Sequence, residues 1–224
     1  KRDSFYTGVA EGNINSERLI TMLNVVNDEL VVEDKGVYSV EKFLVARRLM
    51  YWQVYLHKTS LVAEQLLIRV LKRAKELTTI GLELGASPPL QYFLENEIAL
   101  DDFNQETLET FSMLDDYDIV SAMKVWQHHD DFVLRNLCEM IINRNLLEIK
   151  VKRKHIKTEN LQNHINSLIE KYNISKKEAE YFVFSGEISN QAYHRKKQSI
   201  NVLHKNGKIE DIVKASGQLI LKAL

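Results

Sequence analysis

The stretch Tyr38-Ser-Val-Glu-Lys-Phe-Leu-Val-Ala-Arg-Arg-Leu-Met-Tyr-Trp-Gln-Val-Tyr-Leu-His-Lys58 constrains this chain most. Its apolar positions Phe43, Met50 and Val54 continue into Ala63, Leu67, Val70, Ala74 and Leu77 with a helical period. The pattern predicts one long helix opened by Ser39 and running to about Thr79. A helix of that length is a principal element of any core it joins. It also carries an unusual stripe of Arg47, Tyr51, Tyr55 and Lys58. At about 100° per residue, Arg47 and Lys58 fall within about 20° of each other and Tyr55 about 80° from Arg47. A purely structural helix rarely needs cations and phenols beside Met50 and Val54. A pocket for an anionic, ring-bearing ligand does.

The rest of the chain reads as helices with a few short strands. Asn15 or Ser16 caps a short helix expected to reach about Val26. Glu29–Glu33, the turn Asp34-Lys-Gly36 and Val37-Tyr38 read as a hairpin. Pro88 and Pro89 suit the first turn of a helix to about Glu97. Further helices are expected over 104–113, 117–128, 131–143 and 158–172. Leu146–Lys152 alternates apolar and charged residues as a half-buried strand does. Tyr181–Phe184 and Ser199–Leu203 read as strands, and Ile209–Lys214 as a short helix. The fold class is therefore mainly α with a small α+β portion: a helical body over 1–145 built on one long helix, then a small α+β subdomain over 146–224. Short strands are expected near 29–38 and after about 146.

At 45% hydrophobic residues the 224-residue chain can bury a substantial core. A net charge of −1 supplies no global attraction to nucleic acid or to an anionic membrane. The lone Cys138 leaves no internal disulfide or multi-thiolate zinc site, and fits a reducing, cytoplasmic setting. It falls among Leu134, Leu137, Ile141 and Ile142, as a packing residue would. No apolar run has the length to span a bilayer. The chain opens on Lys1-Arg2-Asp3 without Met or a signal pattern, so it is expected to be a piece of a longer protein.

Arg2-Asp3 followed by Gly8, the segment with Arg47 and Tyr55-Leu-His-Lys58, and later Arg144-Asn-Leu146 occur in an order that resembles the HD-domain deoxynucleoside triphosphate triphosphohydrolases. These include the SAM-and-HD-domain and bacterial dGTPase-like types. The resemblance runs from Lys1 to about Lys152. It implies an HD-type body whose metal-holding His, His-Asp pair and Asp precede the stretch matching Arg2-Asp3. A divalent metal is then expected in the full-length protein and none on this chain alone, with no catalytic residue here. The resemblance implies that Asp3 meets the sugar 3′-hydroxyl, Arg47 the triphosphate, and Tyr55 the deoxyribose. Arg47 and Tyr55 are eight residues apart, about 12 Å along a helix, the reach from phosphate to sugar and base in one nucleotide. Arg18, His57, Lys58 and Arg144 resemble contacts to regulatory nucleotides at subunit interfaces. Asn15 and Glu148 depart from that pattern, standing where the regulated type has an acid and a base.

The implied function is part of a metal-dependent phosphohydrolase that turns deoxynucleoside triphosphates into deoxynucleoside and triphosphate, in a homo-oligomer. The rival reading is a non-catalytic nucleotide-binding or assembly module. Nucleic-acid binding through Lys150–His155 and His194–Lys197 is disfavoured by the net charge. His128-His129-Asp130-Asp131 contains a literal His-Asp pair, but it lies at a helix–helix joint where Asp130 or Asp131 serves as an N-cap.

Overall fold

The computed structural model describes residues 1–152, 156–188 and 199–216. The chain divides into two compact units, Lys1–His57 with Glu187–Leu224, and Lys58–Gly186. The expected boundary near residue 145 falls inside the second unit.

The first unit opens with α1 (Arg2–Thr7) and α2 (Ser16–Thr21), the latter capped by the Asn15 side chain, which accepts from the Arg18 N–H. α2 stops at Thr21, short of the expected Val26. Leu23–Val26 forms β1, antiparallel to β2 (Glu29–Glu33). Between them Asn27 and Asp28 both adopt positive φ, at 52° and 63°. Asn and Asp tolerate that region best after glycine, and it matches the twist of a two-residue hairpin. The hairpin thus lies one strand earlier than the sequence pattern suggests. Val37-Tyr38 is not a return strand but the first turn of α3 (Val37–Met50). Gly36 allows this sharp entry, because a Cβ there would lie 2.7 Å from Val32 Cγ1 and 2.8 Å from Met22 Cβ.

β3 (Asn201–Leu203) pairs in parallel with β2, with Val32 opposite Val202. β4 (Ile209–Asp211) pairs antiparallel with β3, giving a four-stranded mixed sheet of order β1-β2-β3-β4. The short helix Ile212–Ala215 follows, so only the latter part of the expected 209–214 helix forms. Val32, Val37, Val40, Leu44, Val202 and Ile212 make the core between sheet and α3. Glu41 is buried on the same helix and accepts a hydrogen bond from the Ser216 hydroxyl.

The second unit is helical. α4 (Lys58–Thr79) buries Val62, Leu66, Val70, Ala74 and Leu77, one residue every three or four. α5 (Pro88–Glu95) starts on its two prolines as expected. α6 (Gln105–Ser112) is capped by Asn104, and α7 (Asp116–Trp126) by an Asp115–Asp118 capping box. α8 (Phe132–Ile142) lays Val133, Leu134, Leu137 and Cys138 against the α4 face, joined by Trp126 of α7. α9 (Thr158–Tyr172) and α10 (Lys176–Ala179) complete the unit. Neither 146–152 nor 181–184 is a strand. Leu146, Leu147, Ile149, Tyr181 and Phe182 instead join the helical core, so alternation there marks burial without a pairing partner.

The expected continuous helix is broken. α3 ends at Met50, Tyr51–Tyr55 forms one π-helical turn, and α4 begins at Lys58. The Leu56 N–H donates to the Tyr51 carbonyl at 2.7 Å, a bond that encloses one residue more than an α-turn. The aromatic run Tyr51-Trp52…Tyr55 therefore has its own phase, and Lys58 belongs to a different element and unit from Arg47.

Candidate functional site

Asp3, Arg47 and Tyr55 come together in the first unit. They line a cavity of about 300 Å³, with Tyr51, Met50, Phe43 and Gly12 among its other walls. Each reaches it from a different element. Asp3 lies in the first turn of α1. Arg47 lies in the last turn of α3. Tyr55 closes the π-helical turn. Gly12 lies between α1 and α3, where a Cβ would stand 2.8 Å from Ser4 Cβ and against the Met50 side chain. The Ser4 hydroxyl donates to the Val9 carbonyl at 2.6 Å and fixes the loop that carries Gly12.

The Tyr55 hydroxyl donates to Asp3 Oδ2, and Arg2 Nε donates to Asp3 Oδ1 at 3.0 Å. The Tyr55 hydrogen bond, then that of Arg2, holds the Asp3 carboxyl below its ordinary range. The same bond to Asp3 raises the Tyr55 phenol above its usual value. The pair thus persists as carboxylate and neutral phenol across the physiological range. A carboxylate has about four acceptor positions, so Asp3 retains capacity for a further hydroxyl donor.

Arg47 stands 5.6 Å from the Tyr51 ring centroid, and Tyr51 meets Tyr55 edge-on at 5.1 Å. Among the described residues no Asp or Glu pairs with Arg47. A guanidinium held beside aromatic rings and left without a counter-charge is a ready receptor for a carboxylate or phosphate. Tyr51 stood on the sequence stripe but without a role. Gly12 gave no sequence signal, because its contribution is to leave room.

The other sequence-predicted positions are dispersed. Arg18 Nε donates to the Ser39 hydroxyl at 3.2 Å, tying α2 to α3. His57 follows the π-helical turn, and Lys58 opens α4 in the second unit. Arg144, at φ 56°, follows α8 there. The basic positions 153–155 and 194–197 lie outside the described residues.

At the His128–Asp131 joint, Asp131 caps α8 by accepting from the Leu134 N–H at 2.8 Å. It also takes a two-pronged contact from Arg73, at 2.6 and 3.1 Å. His129 Nδ1 accepts from the Asp131 N–H at 3.0 Å. All three groups are committed to structure. Among the described residues no cluster of three or more His, Cys, Asp or Glu is disposed to hold a metal ion. No helix among them is long and apolar enough to cross a membrane.

Residues 14–83, which run from the loop before α2 through α4, match the HD associated region family. A phosphohydrolase from Bacteroides thetaiotaomicron is 47% identical, with a TM-score of 0.88 over all of this chain and 56% of its own. The uncharacterized protein YwfO of Bacillus subtilis is 33% identical over 66% of this chain and 33% of its own length. A hypothetical protein from Aquifex aeolicus shares the fold at 22% identity, with a TM-score of 0.58 over 48% of its chain. This chain thus spans about half the length of both solved relatives. The match and the Bacteroides neighbour together support kinship with HD-type phosphohydrolases. Arg47, Tyr51 and Tyr55 all fall within the matched residues 14–83, whereas Asp3 precedes them.

Proposed function

We propose that this chain is the substrate-orienting part of a metal-dependent HD-type phosphohydrolase. Its substrates on this reading are deoxynucleoside triphosphates, cleaved to deoxynucleoside and triphosphate. The observation that carries the reading is a single cavity in which an uncompensated guanidinium, Arg47, faces the same space as the hydroxyl-accepting carboxylate Asp3 and the ring of Tyr55. The name of the Bacteroides relative supplies the reaction class.

On this reading each side chain has one task. Arg47 binds phosphate oxygens as a two-pronged donor. Asp3 accepts from a sugar hydroxyl, its charge secured by Tyr55 and Arg2. Tyr55, held by that bond, occupies the space next to the sugar and limits substituents there. The described residues offer no group of three or more His, Cys, Asp or Glu disposed to hold a divalent metal. Arg18, His57, Lys58 and Arg144 are proposed as regulatory-nucleotide or interface contacts, and the protein as a homo-oligomer.

The test is to incubate the full-length protein with each deoxynucleoside triphosphate and Mg²⁺ or Mn²⁺, and to follow triphosphate release. Hydrolysis of no nucleotide or phosphate ester defeats the enzymatic reading. Nucleotide binding that is lost in Arg47→Ala, without any turnover, would favour the binding-module alternative.

A further inference from the structure

The second unit segregates its charge in a way that the cavity does not use. From Glu76 to Met123 the chain holds eleven Asp or Glu and no Lys, Arg or His. With −1 overall, everything outside that stretch carries +10. An acidic surface alone is an ordinary aid to solubility. Here it frames an apolar cluster. Phe111 of α6 meets Phe93 of α5 edge-on at 6.0 Å and Phe103 at 6.4 Å. Phe111 is 56% exposed, and Leu108, one turn earlier, 47%. Glu106 and Glu109 run exposed along the flank of the same helix. The face is preformed: Asn104 caps α6, and the Tyr92 and Thr107 hydroxyls hydrogen-bond at 3.2 Å between α5 and α6.

The chain also carries the complement. From Ile149 to Thr158 it has no acidic residue, while Lys150, Lys152 and Lys157 are exposed. Val151, between two of these lysines, is 54% exposed. Residues 145–152 belong to no helix or strand; Leu146, Leu147 and Ile149 hold the stretch on the helical core, and Lys150, Val151 and Lys152 are exposed along it. Among the described residues Lys150 makes an exposed contact to Glu148 at 3.4 Å, the kind of pair that contributes little and exchanges easily.

We infer that the acidic, phenylalanine-bearing face of α5 and α6 docks a second copy of this chain through the partner's Lys150–Lys152 stretch and Lys157. Val151 covers the rim of Phe111 and Leu108, and the lysines meet Glu106 and Glu109. Rings supply the buried area, and charge sets register and encounter rate. Each copy has both halves, so a two-fold pair closes on two equivalent contacts. The inference stands apart from the phosphohydrolase reading, since none of these residues lines the cavity.

Sedimentation velocity over a concentration series tests it, on the purified protein at about 50 and about 500 mM salt. We expect a dimer whose dissociation constant rises at least about tenfold over that range, as screening shortens the reach of the charges. Glu106→Lys with Glu109→Lys, and separately Lys150→Glu, Lys152→Glu and Lys157→Glu together, should each give monomers where the parent is dimeric. An equimolar mixture of the two variants should restore dimers, because both contacts then join opposite charges again. Phe111→Ser should weaken the dimer at least about tenfold with an unchanged melting curve, which keeps the test decisive if a charge variant misfolds. The inference is overturned by a parent that stays monomeric at both salts. It is equally overturned by a dimer indifferent to these changes, by folded charge variants that do not reassemble, or by a monomer whose acidic face takes only a foreign lysine-rich peptide.

Discussion

Asp3 and Asp131 are both carboxylates gripped by neighbours, and they do opposite things. Asp131 lies in the second unit, half-closed from solvent. Burial pushes its carboxyl up, but the Arg73 guanidinium and the Leu134 N–H more than offset that and hold it below the ordinary range. Its acceptor positions are filled by a helix cap and an arginine fork. Asp3 lies in the first unit at a cavity mouth, held by the phenol of Tyr55 and the exposed Arg2, with acceptor capacity to spare. The contrast teaches that Asp131, next to the His129-Asp130 pair conspicuous in the sequence, belongs to the closed, satisfied set. The open set, where a ligand can add a bond, is the one that the sequence spreads over 52 positions.

The sharpest way to break the comparison is to damage the closed unit. Leu134→Ala, at a fully buried position, should cost about 3–5 kcal/mol in denaturant unfolding through lost burial and a residual cavity. Asp131→Ala should cost about 2–4 kcal/mol, because it removes the α8 cap and leaves Arg73 with Glu76 as its remaining carboxylate partner among the described residues. Asp131→Asn should recover part of that loss, since an amide oxygen can still cap. A fully stable Asp131→Ala protein would mean that this carboxylate is not structural.

In the open unit the same currency should barely move while ligand affinity falls. Arg47→Ala should raise KM or Kd for a deoxynucleoside triphosphate about 10- to 100-fold, the loss of one charge-assisted contact of about 1.5–3 kcal/mol. Its melting temperature should stay within about 2 °C of the parent. A large drop in stability instead would place Arg47 in the structural class.

Tyr55→Phe should have a smaller effect, read by titration. It removes the largest influence on Asp3, so the carboxyl should move back toward its ordinary range by NMR. The sign is fixed by the direction of each shift. The Asp3 contribution is present above the ordinary carboxylate range and fades as pH falls through its lowered value. The Tyr55 contribution is present below the usual phenol range and fades as pH rises through its raised value. The smallest change is at Cys138. Burial pushes its thiol up to about 12, so a thiol reagent at pH 8 should leave it unmodified until the second unit unfolds.

Much of the second unit was legible in the residues. Prolines at the start of α5, Asp131 as a cap, and the apolar period of α4, α8 and α9 are local signals, and helices are stabilised by neighbours three and four positions away. The strands were read less well. Alternation at 146–152 and 181–184 reports one buried side and says nothing of a pairing partner. The hairpin lies one strand earlier than the residue pattern suggests, because its two-residue turn is Asn27-Asp28. The buried Glu41 was unreadable, since its partner Ser216 lies 175 residues away.

The candidate site divides in the same way. Arg47, Tyr51 and Tyr55 are visible in the residues because a cation and phenols recur at helical spacing, and that much is intrinsic to the chain. Their actual phase comes from the π-helical turn, a matter of one extra residue within a hydrogen-bonded ring, which spacing at 100° per residue cannot register. Asp3 meets Tyr55 across 52 positions, and Gly12 leaves the room needed between Ser4 of α1 and Met50 of α3. Residues 201–203 reach the sheet by pairing with 31–33, across the whole second unit in sequence, and 209–211 then pair with 201–203. Helical periodicity is short-range and is written into neighbouring residues. Strand pairing, close approach and the sharing of a cavity are long-range, and they are settled when buried surfaces find each other in the folded chain.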